Sequence, residues 1–135
     1  MQNMLILFGF CWMVVAALVG FLLAKRRHMA IEQLDVFAAQ GNLGEYHWVS
    51  LGYHWNKTVH AHTFLFSVVA VCIGLAMTRM NYTETVSNVL AIAMMLSPAV
   101  WTLGGMRSNK VLMVIGDTTL LISIVMAVVG LATTL

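Results

Sequence analysis

Four uninterrupted apolar runs dominate this chain: Met4 to Ala24, Val59 to Thr78, Val86 to Gly105 and Val111 to Thr133. None contains Lys or Arg. Each is close to the roughly 20 residues that carry an α-helix across a hydrocarbon core about 30 Å thick. Hydrocarbon offers the backbone no hydrogen-bond partners, so only helices and closed barrels can cross it. Barrel strands alternate apolar with polar residues, and these runs do not. The expected fold class is therefore all-α: an integral membrane four-helix bundle forming one transmembrane domain over residues 1–135. A soluble fold is excluded by composition. The chain is 61% hydrophobic and 9% charged, whereas soluble domains carry about 25% charge. A small soluble domain exposes too much of its area to hide that apolar content.

The basic residues matter by position. The net charge of +2 is no nucleic-acid footprint. Met1-Gln2-Asn3 carries no basic side chain, and the first run is longer than the apolar region of a secretory signal. Lys25, Arg26 and Arg27 follow it, which predicts an anchor with its N-terminus outside. The first loop and the Met106–Lys110 loop then face the cytoplasm with Lys25, Arg26, Arg27, Lys57, Arg107 and Lys110. The outer Arg79–Thr85 loop holds Arg79 alone. This asymmetry follows the positive-inside rule and puts both termini outside. Cys11 and Cys72 fall within apolar runs and are expected to be buried thiols.

The long first loop has structure of its own. Ile31, Leu34, Phe37 and Ala38 recur at helical spacing opposite Glu32, Gln33 and Asp35. This predicts a short interfacial amphipathic helix over Ala30 to Ala39, between the first and second spans. Gly41-Asn42 is a helix-stop signal. Glu45-Tyr46-His47-Trp48 and Tyr53-His54-Trp55 then read as an aromatic belt before the second span.

All five histidines lie toward one side of the membrane: His28, His47, His54, His60 and His62. Asp117 is the only acidic residue inside a span. It lies about 9 Å past Val111 along a helix, in the same leaflet as His60 and His62. An ionisable group within a span is costly and marks a candidate site. Asp117 is expected either to glue the bundle through Thr118, Thr119 or a facing helix, or to act as a proton carrier or a carboxylate orienting a ligating histidine. In a helix His60 and His62 point about 200° apart and cannot share one metal. In an extended segment they share a face. Haem takes one or two His or Met ligands, so His28, His60 and His62 are the candidate cofactor ligands, with Met29 as another. Copper or zinc suits imidazoles plus a carboxylate, which makes His47, His54, His60, His62 and Glu45 the candidate metal ligands. The third and fourth spans supply no histidine.

His60-Ala61-His62-Thr63-Phe64-Leu65-Phe66, followed by Gly74, resembles the opening of a helix in subunit I of haem–copper oxidases and in small membrane proteins related to it. The resemblance covers about fifteen residues of one span and implies a haem or redox setting in which a histidine ligates haem. The chain departs from the family in lacking the further histidines of a binuclear copper centre. Its charge bias also sets His60 and His62 on the opposite side.

Three functions follow as expectations. The first is a non-catalytic accessory subunit of a larger membrane metalloenzyme or respiratory complex, in contact with lipid and other membrane subunits and with no nucleic acid. The second is a small membrane protein that itself binds haem or a metal such as copper through the histidine cluster. The third is a small transporter or channel using Asp117.

Overall fold

The computed structural model describes residues 1–134. These residues form four long helices: α1 (Gln2–Ala39), α2 (Leu43–Ala76), α3 (Glu84–Met106) and α4 (Lys110–Ala132), with a short 3-10 turn at Met77–Arg79 after α2. No strand occurs among the described residues. All four helices are long and apolar enough to cross a membrane, in keeping with a multi-pass membrane protein. Leu135, on which the outside C-terminus was expected, lies outside the described residues.

α3 and α4 coincide closely with the third and fourth apolar runs. Asn109 separates them, its side chain accepting from the Val111 and Leu112 amides at 3.0 and 3.3 Å. Thr83 caps α3 in the same manner through the Val86 amide. These side chains satisfy amides that the first helical turn leaves free. Pro98 lies inside α3, buried, and the helix continues through it.

α1 and α2 are longer than expected. The separate interfacial helix over residues 30–39 does not form; those residues are the last turns of α1. Nothing between Lys25 and Ala39 interrupts a helix: the stretch has no Gly or Pro and is rich in Lys, Arg, Ala, Glu, Gln and Leu, all favourable helix residues. α1 stops only at Gly41, whose φ of 67° suits a residue without Cβ. The Asn42 amide reaches back to the Phe37 carbonyl and the Gly41 amide to the Ala38 carbonyl, the Schellman pattern of a helix end. The Asn42 side chain then accepts from the Glu45 amide and starts α2. Three residues thus end one helix and begin the next.

At 1.5 Å per residue, the 38 residues of α1 span about 57 Å and the 34 of α2 about 51 Å. The 23-residue helices α3 and α4 span about 35 Å each. The Trp55 indole N–H donates to the Gly105 carbonyl at 2.9 Å, which sets Trp55 level with the end of α3. The stretch of α2 from Leu43 to Trp55, about 18 Å, therefore overhangs the α3–α4 hairpin together with the matching part of α1.

Each hairpin is closed by small residues. A Cβ on Gly9 would lie 2.6 Å from Val71 of α2, and one on Gly116 would lie 2.6 Å from the Trp101 Cβ of α3. Ala16, Gly104, Gly105 and Gly130 are likewise buried within the chain, so the small residues that permit close helix approach serve internal packing. Phe66, Leu90, Met94 and Trp101 fill the core where the hairpins meet. The Thr63 and Thr102 hydroxyls bond across α2 and α3 at 3.2 Å. The Tyr82 hydroxyl donates to the Met126 carbonyl at 2.7 Å, tying the α2–α3 connection to α4. Cys11 and Cys72 are not buried; both occupy outward faces of their helices.

Candidate functional site

Four of the five histidines fall on α2, and helix geometry decides what they can do together. His60 and His62 both lie within regular helix, so their side chains diverge and each meets a different neighbour. His60 packs on Gly20 of α1: a Cβ there would lie 2.6 Å from the imidazole Cε1. Its Nδ1 is buried and has no hydrogen-bond partner among the described residues. His62 turns toward α3 instead. Its ring stacks on Trp101 with centroids 4.7 Å apart and planes at 12°, and it meets Phe66 edge-on at 6.0 Å. Its Nδ1 lies 3.0 Å from the Thr58 carbonyl. A carbonyl only accepts, so Nδ1 is the donor in this contact. The two imidazoles are therefore components of two separate helix interfaces, and no single ion can lie between them.

The other candidates are distributed along the overhanging hairpin. His28, His47, His54 and Glu45 are exposed. His47 meets Trp48 and His54 meets Tyr53 at the ring edge. From Glu45 to His62 the helix advances about 26 Å, too far for those residues to converge. His28 is also apart from His60: the α1 residue facing His60 is Gly20, about 12 Å along the helix from His28. Met29 is exposed beside His28. Among the described residues no group of three or more His, Cys, Asp or Glu side chains is gathered as a metal site.

Asp117 follows Gly116, which abuts Trp101, and so lies at the depth of His62 but on the α4 side. It is exposed. The neighbouring Thr119 hydroxyl donates to the Ile115 carbonyl at 2.8 Å rather than to the carboxylate. Asp117 lines a groove of about 590 Å³ with Trp48, Leu51, Trp55, Lys110 and Met113, in the corner between the overhanging part of α2 and the start of α4.

A second cavity of about 590 Å³ lies between α1, α2 and α3, with Trp12 at one end and Arg26 and Asn56 at the other. Sequence reading does not reveal it, because an apolar face lining a cavity and one packed on a helix look the same in one dimension. The Trp101 platform under His62 is missed for a related reason. His62 and Trp101 come from separate helices, and only the packing of α2 on α3 brings them together.

Comparison with known proteins gives no match: no family model, no curated protein and no solved structure is significantly similar to the chain.

Proposed function

We propose that the chain is a non-catalytic accessory subunit of a larger membrane complex, of respiratory or metalloenzyme type, and that it holds its partner through the overhanging α1–α2 hairpin. One observation carries this reading. The hairpin presents large apolar side chains where lipid tails do not account for them: Leu43 is 76% and Trp48 68% exposed, and Val36 near the tip is also exposed. A bilayer with its headgroups is about 40–45 Å thick, and α1 is about 57 Å long. An upright α1 is about 12 Å longer than the thicker of these limits, and we set that surplus at the hairpin tip. Exposed apolar surface in water marks an interaction site, and tryptophan is prominent among residues that dominate interface energies.

The redox setting rests on the likeness of the His60–Gly74 segment to oxidase subunits. His60 and His62 are engaged between helices. The imidazoles that a partner's haem or metal can reach are the exposed His28, His47 and His54. The six-to-one basic asymmetry supports a cytoplasmic hairpin with the N-terminus outside.

The test is extraction from native membranes in mild detergent with a photo-crosslinking side chain in place of Trp48. The expected result is a crosslink to another membrane chain, co-purification of that chain, and haem or metal in the joint particle. A strictly monomeric particle crosslinked only to lipid overturns the reading.

A further inference from the structure

The cavity between α1, α2 and α3 has two chemically different ends. Trp12, Val15, Val19 and Leu22 line its interior at alternating three- and four-residue spacing along one face of α1. Arg26 and Asn56, both exposed, lie at the end nearest the overhang. From Trp12 to Arg26 the lining runs about 21 Å along α1, most of the depth of a hydrocarbon core. The volume, about 590 Å³, falls within the range of about 300–1,000 Å³ found for ligand sites.

Water is a poor occupant. A buried water needs two to four polar partners. The hydroxyls in the interior, Thr63 and Thr102, already bond each other, and Thr63 also donates to the Val59 carbonyl. The Trp12 indole N–H, without a partner among the described residues, is a single donor where a water needs more. An apolar chain suits the interior, and an anion suits the guanidinium at the mouth. Basic pockets between membrane helices recruit anionic lipid headgroups in this way.

We infer that this cavity holds one acyl chain of an anionic phospholipid, with the lipid phosphate bound by Arg26 and Asn56. The arrangement is independent of the partner-docking role of the hairpin, because it uses the parts of α1, α2 and α3 below the overhang. Arg26 distinguishes an anionic lipid from a zwitterionic one. Val15, Val19 and Leu22 keep part of their surface exposed, so the cavity opens sideways as a groove between the helices. The basic mouth distinguishes a lipid held here from the ordinary lipid that coats the outer faces.

Tryptophan fluorescence tests this, since Trp12 lines the cavity and brominated acyl chains quench an indole on contact. The full chain is reconstituted into vesicles of phosphatidylcholine containing a minor fraction of either brominated phosphatidylglycerol or brominated phosphatidylcholine. The difference between wild type and Trp12→Phe isolates the Trp12 signal. Brominated phosphatidylglycerol is expected to quench Trp12 at a lower mole fraction than brominated phosphatidylcholine. Arg26→Gln should abolish that preference. Arg27→Gln, which removes the same charge outside the cavity lining, should retain it. Ala99→Leu, which fills the cavity from α3, should reduce Trp12 quenching by both lipids. Equal quenching by the two lipids in wild type overturns the inference. So does an equal loss of preference in Arg27→Gln, which reports only surface attraction, or unchanged quenching in a folded Ala99→Leu protein.

Discussion

Substituting Gly116 with alanine tests the closest approach of α3 and α4. The added Cβ would fall 2.6 Å from the Trp101 Cβ, 2.9 Å from the Trp101 amide nitrogen and 3.0 Å from the Ser97 carbonyl oxygen. Two of these three atoms are backbone, so no flexible side chain can swing aside. Restoring an ordinary carbon–carbon contact of about 3.5 Å requires the helices to separate by about 0.9 Å at this point. The Trp101 ring would then be drawn from its stack on His62. Overpacking of this kind costs about 1–3 kcal/mol. Gly52 is the internal control: it lies within α2, and a Cβ there meets nothing within 4 Å. Gly52→Ala should stabilise by about 0.4–1 kcal/mol through the less flexible unfolded chain. The assay is reversible unfolding in mixed detergent micelles, followed by circular dichroism and tryptophan fluorescence. If Gly116→Ala is as stable as wild type while Gly52→Ala is more stable, α3 and α4 do not meet in this register.

Further outcomes can be checked separately. Asp117→Leu should stabilise the isolated chain in detergent, because it replaces an exposed carboxylate within a span by an apolar side chain; a less stable variant would mean that Asp117 locks the bundle. His62→Ala should cost about 0.5–1.5 kcal/mol as the Trp101 stack is lost, with a shift in tryptophan emission, and an unshifted spectrum would contradict the stacking. Gly41→Ala should cost about 1 kcal/mol, because its left-handed backbone disfavours a Cβ; a neutral result in unfolding experiments would argue against the hairpin turn. Reporter fusions after Leu135 and within the Arg79–Thr85 loop should both report the outer side, and a cytoplasmic signal from either would reverse the orientation.

α3 and α4 were legible because their apolar runs end at polar turns with capping side chains, so hydropathy and helix boundary coincide. α1 and α2 were not, because a helix that leaves the membrane loses its hydropathy signal while nothing stops its backbone. The stop at Gly41-Asn42 was readable; that it ended a helix begun at Gln2 was not. The divergence of His60 and His62 followed from the 100° helical step, but the surfaces they meet, Gly20 and Trp101, depend on which helices become neighbours. Cys11 and Cys72 show a further loss of signal. Lipid and protein core are equally apolar, so a residue in a uniformly apolar run carries no mark of which way it faces.

The continuity of α1 from Gln2 to Ala39 fixes the angular phase of the hairpin tip. With no hinge, the direction in which Val36 points is geared to the direction in which Gly9 meets α2. Each residue added or removed between Lys25 and Ala39 rotates everything beyond it by about 100° and shifts it by about 1.5 Å. A single deletion there would swing the apolar tip a quarter-turn or more relative to the bundle, unless α2 were shortened to match. Only length changes near whole helical turns, made on both helices together, keep the direction in which the tip faces, and the arm is a ruler whose divisions are set by the α-helix itself.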